Sequence, residues 1–375
     1  MFVSPTGGSP SPVQVRELDD SFFGADPHGY FLSRIESLIA HADGANATVS
    51  DGVGRQFALK LGWERDGDAL LASSADAREL QVAIDAASLR QHLAEAVLRL
   101  WLALLQTKTA RPGTASIWEA LTSTPNQTSA IFDAIQKCED WDTASVHLEL
   151  LLPKQHWPQY ETDPKMRQAV DVMGKWFDHA VTLLTRSDIH LASANNKYKH
   201  GLAVRMRNDV RIGFLPSDAV PAEGDSIPFS AVESEIVLFD KPFVEYLAKG
   251  PFDGEGKHGL ELTHLRLDTP TLLVEATMLA TLYGAMFHVA AARHAAWSAT
   301  VGKIAPYPSL PLGPTPARLL GKAVTGMRSP VTLRPDGSAP TRGPGIGFNH
   351  GEFVSLAVDY EGRRTMTFED DGGSD

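Results

Sequence analysis

The feature that most constrains the fold is an uninterrupted helical pattern over residues 76–106. Neither glycine nor proline breaks it, and its apolar residues recur every three or four positions, which is the spacing of one helix face. The apolar set is Val82, Leu89, Leu93, Val97, Leu100, Trp101 and Leu104. The pattern predicts a long helix at the centre of a mainly helical protein.

Two further helices are predicted downstream. Residues 164–185 repeat the helical spacing, with Asp163 as the N-terminal cap and Pro164 in the first turn. The next helix should run over residues 187–200 and stop at Gly201, the residue type that most often terminates a helix. Shorter helical pieces are expected at 30–41, 116–121, 127–138 and 142–151.

After Gly201 the apolar spacing changes to the period of two that β-strands show. Strands are predicted at 203–214, 234–239 and 260–267, with a further candidate at 56–63, and an apolar helix is predicted at 269–297. The expected fold class is α+β, predominantly α, in which a bundle of long helices accompanies a small antiparallel sheet and the ends are disordered or extended.

The 375 residues suffice for about two domains. The sequence divides into a disordered start (1–20), a small helix and strand module (21–75), a helical bundle (76–201), antiparallel strands with a returning apolar helix (202–300), a Pro/Gly-rich linker (301–348), and a hairpin with an acidic tail (349–375).

Charge and cysteine content narrow the functional classes. The formal net charge of −12 argues against a protein coated by nucleic acid over its whole surface, because phosphate binding needs a positive field. A local basic patch is still compatible with it. The single cysteine, Cys138, excludes an intramolecular disulfide and a cysteine-based zinc site, and it favours the reducing cytoplasm.

One apolar stretch is long enough to cross a bilayer, at residues 271–292. It contains Glu275 and His288, and its apolar residues recur at helical spacing. We therefore expect a buried helix in a soluble protein and no membrane partner.

The most distinctive local string is polar and lies at the end of the predicted 187–200 helix. It contains Asn195, Asn196, Lys197, Lys199 and His200. In a helix, residues four apart share a face, so an amide, an ammonium and an imidazole should converge near the helix end. The string is either a binding site or a helix terminus whose cations offset the helix dipole.

Three arginines follow this string on the predicted strand. Arg205, Arg207 and Arg211 should share one strand face, which gives the segment 197–211 five Lys/Arg against one acid. Such a patch could bind phosphate or carboxylate, although a surface strand is also expected to be polar on one side.

The string 196–201, preceded by a long helix that carries residues 89–95, resembles sequences of HEPN-like families. These are all-helical proteins in which two long antiparallel helices carry a polar site. The resemblance covers residues 76–201. In catalytic members an Arg, followed after four to six residues by a His, cleaves RNA without a metal, usually in a homodimer. His200 matches that His, whereas the Arg is absent at the expected positions.

The resemblance implies a protein that binds RNA or a nucleotide, with or without cleavage. If it cleaves, we expect a metal-independent ribonuclease without a cofactor, in which Arg99 supplies the missing cation beside Glu95 and His200 acts as general acid or base. The alternative is an interaction or scaffold protein whose Lys/His string is a helix cap and whose proline-rich arm docks partners. Scattered histidines give no helical metal motif.

Overall fold

The structure is a computed structural model of the chain. It describes residues 8–44, 53–62, 74–111, 113–186, 189, 191–199, 204–207, 212–214, 236–239, 242–252, 258–298, 302–321, 325–332, 355–357 and 367–369. Within them the protein is predominantly α-helical with a small antiparallel sheet, which confirms the predicted α+β class. Two compact units form: unit 1 comprises residues 1–187 and 269–321, and unit 2 comprises residues 188–268 and 322–375.

Unit 1 is built from helices. Their bounds are α1 Pro12–Phe23, α2 Pro27–Ala42, α3 Val53–Lys60, α4 Ala75–Thr107, α5 Ile117–Thr122, α6 Thr128–Gln136, α7 Ala144–Leu151, α8 Trp157–Thr162, α9 Pro164–Thr185, α11 Thr269–Ala295 and α12 Pro316–Leu320. Helix α10, Leu191–Lys199, belongs to unit 2. The two long amphipathic helices, α4 and α9, are where the sequence predicts them. The Asp163 cap is also confirmed, since its carboxylate accepts a hydrogen bond from the Lys165 amide at 2.9 Å.

The core of unit 1 lies where α11 and α9 pack against α4. Trp101 of α4 is fully buried, and its ring lies 4.1 Å from that of Phe177 in α9. Helix α11 is long and apolar enough to cross a membrane, but 83% of its most apolar window is buried within the protein. It is therefore a core helix, as the sequence predicted for a soluble protein.

Unit 2 contains the strands. Their bounds are β1 Arg205–Arg207, β2 Ile212–Phe214, β3 Ile236–Phe239, β4 Phe243–Phe252, β5 His258–Arg266, β6 Gly326–Pro330, β7 Ser355–Ala357 and β8 Thr367–Glu369. Four of them form one antiparallel sheet in the order β1-β4-β5-β6. The remaining strands pair as β2 with β3 and β7 with β8, and the last pair agrees with the predicted hairpin.

The four-stranded sheet has two chemically different faces, because side chains alternate along each strand. We call the buried one the inner face; its residues are Val244, Tyr246, Ala248, Glu261, Thr263 and Leu265. The Tyr246 hydroxyl donates to the Ile189 carbonyl at 3.3 Å, and the Lys197 ammonium of α10 lies 5.9 Å from the Tyr246 ring. The chain around α10 therefore covers the inner face.

We call the opposite side of the sheet the outer face. Its residues on the three strands β1, β4 and β5 are Arg205, Arg207, Phe243, Glu245, Leu247, Lys249, Leu260, Leu262, His264 and Arg266. Leu247 and Leu260 are 50% and 41% exposed, respectively. The outer face is therefore partly open to solvent.

Two expectations for the amino terminus are wrong. Residues 12–20 belong to helix α1, which opens with a reciprocal capping box between Ser11 and Gln14. Its last turn is held by Phe23, which is fully buried and lies 5.4 Å from the Phe287 ring. The strand expected at 56–63 is instead helix α3, Val53–Lys60, in the part of it that the structure describes.

Three other boundaries also change. The apolar helix α11 belongs to the helical unit and not with the strands, because it packs along α4. The strand expected at 203–214 is divided between β1 and β2, which lie in separate sheets. The Pro/Gly-rich linker is part of the folded structure where it is described: residues 302–321 belong to unit 1, and β6 joins the sheet.

Candidate functional site

A buried charged group joins the three longest helices of unit 1. Glu275 of α11 is 1% exposed. Its Oε2 accepts from Arg90 Nη1 of α4 at 3.1 Å, and its Oε1 lies 2.6 Å from His179 Nε2 of α9. Since a carboxylate only accepts, His179 Nε2 carries the proton in this contact.

Burial alone would raise the pKa of the Glu275 carboxyl, because a charge loses hydration in the core. The Arg90 cation and the His179 hydrogen bond outweigh burial, and the pKa of Glu275 is lowered from its ordinary value. Glu275 is therefore an ionised, paired carboxylate at neutral pH. The sequence does carry a signal for it, since a lone acid in an apolar helix needs a buried cation.

The two expected catalytic residues on α4 form a local pair. Arg99 Nη2 contacts Glu95 Oε1 at 2.7 Å, and Arg99 Nη1 donates to the Thr124 hydroxyl at 2.6 Å and to the Pro125 carbonyl at 3.0 Å. These bonds fasten the turn after α5 to α4. Arg99 and Glu95 belong to unit 1, and their predicted partner His200 lies outside the described residues, so the Arg99–His200 site stays a prediction.

The polar string at the end of α10 is described in part. Asn195 is buried at 7% exposure, Asn196 is exposed, and Lys197 extends toward the Tyr246 ring on the inner-face side. The Lys199 side chain and His200 lie outside the described residues. The Lys197 contact is a cation–π interaction, which uses this ammonium within unit 2.

The basic residues of the segment 197–211 are distributed on two sides of the sheet. Arg205 and Arg207 share a strand face as predicted, and that face is the outer one, opposite Tyr246 and hence opposite Lys197. Arg211 lies outside the described residues. Among those described, the single patch expected from the sequence is thus split between the sheet and the helix.

The outer face nevertheless gathers cations from three strands. On this face, Arg205 and Arg207 of β1, Lys249 of β4 and Arg266 of β5 accompany one described carboxylate, Glu245, because the other acid of these strands, Glu261, lies on the inner face. Arg205 and Lys249 are exposed. Sequence reasoning missed Lys249 and Arg266, since they share a face with the β1 arginines only because β4 pairs with both β1 and β5.

One titratable pair lies within this face. His264 Nε2 is 3.3 Å from Glu245 Oε1, and the histidine is 5% exposed. Burial lowers the pKa of His264; Glu245 opposes this effect and Arg207 adds to it. His264 is therefore neutral near pH 7, and the positive charge of the outer face comes from its Arg and Lys side chains.

A third polar cluster, at the end of α11, contains the residue types of a hydrolase triad. In such a triad the histidine bridges serine and aspartate through its two nitrogens. Here Asp20 Oδ1 accepts from both partners, His294 Nε2 at 2.7 Å and Ser298 Oγ at 2.8 Å. This connectivity fastens α1 to the end of α11 and leaves Ser298 Oγ bonded to the carboxylate.

Within the parts of the chain that the structure describes, no group of three or more His, Cys, Asp or Glu side chains is placed to hold a metal ion. No protein-family model, curated protein or solved structure matches the chain. The HEPN-like resemblance therefore stays a prediction.

Proposed function

We propose that this is a cytoplasmic RNA-binding protein and that the outer face of the unit 2 sheet is its RNA-binding surface. The observation that carries the proposal is the charge of that face: on the described parts of β1, β4 and β5 it holds Arg205, Arg207, Lys249 and Arg266 together with Glu245, and Arg205 and Lys249 are exposed. In a chain of net charge −12, a surface of the opposite sign favours a polyanion at one place.

The side chains of the outer face favour contacts to phosphates over recognition of bases. The aromatic rings Phe243 and His264 are buried at 0% and 5% exposure, so they offer no stacking surface to an unpaired base. The exposed apolar residues are Leu247 and Leu260. Guanidinium and ammonium groups bind phosphate oxygens regardless of sequence, so we expect weak sequence preference and strong salt dependence.

The test is the binding of a fluorescently labelled single-stranded RNA, followed by anisotropy between about 50 and 200 mM salt. Each contacted phosphate contributes about −0.7 to the slope of log K against log salt for single strands. The double variant Arg205→Gln/Lys249→Gln should bind more weakly, with a slope reduced in magnitude by about 1.4.

Two matched variants locate the interface. Lys175→Gln changes an exposed lysine of unit 1, and Lys197→Gln changes a lysine on the other side of the sheet. Neither should alter the affinity or the slope. Unchanged RNA binding by the Arg205/Lys249 double variant would overturn the proposal, and a loss confined to Lys197→Gln would assign binding to the end of α10.

Cleavage is tested separately from binding. Total RNA is incubated with the wild-type protein and with His200→Ala, without added metal. Cleavage that depends on His200 would establish the ribonuclease expected from the resemblance. Binding without such cleavage leaves an RNA-binding protein, which is the function proposed here.

A further inference from the structure

A proline-rich segment of unit 1 is bound along the surface of its own helices. Residues 304–315, called the strap, follow α11 and lead into α12 without forming a helix or strand. Five prolines lie at positions 306 to 316, and Pro308 to Pro311 is a P-x-x-P step; the Gly313–Pro314 peptide bond that follows is cis. Proline fixes φ near −65° and biases the preceding residue toward extended conformations.

Between Lys303 and Leu312 the exposure has a period of three, whereas Thr315, the next position of that row, is half-buried. Lys303, Pro306, Ser309 and Leu312 are exposed, while the residues between them are half-buried or, at Pro308, buried. A polyproline II helix has three residues per turn, so a strap in that conformation would turn one row of side chains to solvent and the other two rows toward the protein. The exposure pattern is the one expected of a docked proline-rich ligand.

Side chains of the helices recognise the backbone of the strap. Trp176 Nε1 donates to the Pro314 carbonyl at 2.9 Å, Gln168 Nε2 donates to the Leu312 carbonyl at 3.0 Å, and His288 Nδ1 donates to the Ala305 carbonyl at 2.7 Å. Since a carbonyl only accepts, His288 carries its proton on Nδ1. These donors bind backbone carbonyls, which every extended peptide presents.

Aromatic contacts hold the middle of the strap. The Tyr307 hydroxyl donates to the Leu151 carbonyl at the end of α7 at 2.7 Å. Its ring lies 5.3 Å from His288 and 6.1 Å from His156. A surface with an indole donor, an amide donor and aromatic rings has the chemistry with which proteins bind proline-rich peptides.

We propose that these helices form a recognition groove for proline-rich segments of partner proteins, which the strap occupies in cis. The proposal concerns unit 1 and is independent of the RNA-binding surface. It reverses the expectation that the proline-rich arm docks on partners, because the strap already lies in the groove. A partner's proline-rich segment would have to displace the strap.

The covalent connection sets the size of the expected effect. A tethered segment acts at an effective concentration on the order of millimolar. A free peptide that binds the empty groove with a dissociation constant of about 10–100 μM should therefore bind the strap-occupied groove about 10- to 100-fold more weakly. Weakening the strap without touching the groove should recover that factor.

The probe is a fluorescently labelled synthetic peptide with the sequence of residues 303–316, added to the full-length protein. Tyr307→Ala removes the hydroxyl bond and the ring contacts of the strap and should increase peptide affinity at least tenfold over wild type. Tyr307→Phe removes only the hydroxyl and serves if the alanine variant loses its helical circular dichroism. Ser309→Ala, at an exposed strap position, should behave like wild type.

The groove is tested by adding Trp176→Phe to the Tyr307 variant, which removes the indole donor and keeps a ring. Peptide binding should then fall at least tenfold. The proposal is overturned if neither folded Tyr307 variant binds the peptide saturably, or if Trp176→Phe leaves binding unchanged. Concentration-dependent dimerisation of the Tyr307 variants would also overturn it, since the occupant would then be the strap of a second copy.

Discussion

Replacing Glu275 by glutamine tests whether the buried charged group holds unit 1 together. The substitution keeps the shape of the side chain but removes the negative charge between Arg90 and His179, which lie 3.1 Å and 2.6 Å from its oxygens. Glu275 is 1% exposed, so water cannot enter to solvate the Arg90 and His179 side chains once its charge is lost. Removing one partner of a buried ion pair costs about 3–5 kcal/mol.

Helix α9, which carries His179, provides a control pair with an equally short contact. Lys175 Nζ and Asp171 Oδ2 of α9 are also 2.6 Å apart, but their side chains are 51% and 62% exposed. An exposed pair at this spacing contributes about 0.3–0.5 kcal/mol. Asp171→Asn should therefore change stability by less than about 0.5 kcal/mol, although the broken contact is equally short.

The assay is urea unfolding followed by far-ultraviolet circular dichroism, which reports the helices of unit 1. The folded pKa of Glu275 is below its ordinary value of 4.5. Its ionised form therefore stabilises the fold fully above about pH 4.5, and that contribution is lost as the pH falls through the folded pKa. The difference between wild type and Glu275→Gln should accordingly be largest near pH 7 and shrink in acid.

Two results would refute this reasoning. One is a Glu275→Gln protein whose free energy of unfolding lies within about 0.5 kcal/mol of wild type at pH 7, as expected for the exposed pair. The other is a loss of stability that stays constant as the pH falls below 4.5, which would mean that packing, and not the charge of Glu275, is responsible.

Two further predictions concern helix contacts in unit 1. Gly284→Ala should lower stability by about 1–3 kcal/mol, because a Cβ there would lie 2.8 Å from His28 Cγ of α2. Thermal denaturation measures the effect, and an unchanged midpoint would mean that α2 can move aside. Asp20→Ala removes the acceptor of His294 and Ser298 and should lower the free energy of unfolding by about 1–3 kcal/mol. Limited proteolysis should then release α1 faster than in wild type, and equal rates would contradict the role of Asp20 in holding α1 against α11.

The main helices of this protein could be predicted from local pattern alone. The spacing of apolar residues placed α4 and α9 to within a residue or two, and it placed the apolar core helix α11, because amphipathic periodicity is a property of consecutive residues. Helix α3, Val53–Lys60, is the exception, because a short apolar run fits the helical and the strand period alike. Its eight residues are also no longer than a typical strand, so its length favours the wrong element.

The candidate sites were less predictable, because they depend on residues far apart in the chain. Glu275 was visible as an acid in an apolar helix, but its partners Arg90 and His179 lie 185 and 96 positions away. The basic segment after α10 was also visible, yet strand pairing put Lys249 on the same sheet face as the β1 arginines and put Lys197 on the opposite side. Spacing along a chain does not encode such pairings.

The proline-rich region shows what the sequence by itself determines and what only the tertiary structure decides. Its composition determined that it cannot continue a helix, since proline lacks the amide proton and fixes φ. Only the tertiary structure decided that residues 304–315 lie on unit 1, where Gln168, Trp176 and His288 donate to their carbonyls. The sequence by itself determined the local backbone preferences and the mainly helical class. The tertiary structure decided which elements share a core and which charges meet, because those contacts depend on packing between distant segments.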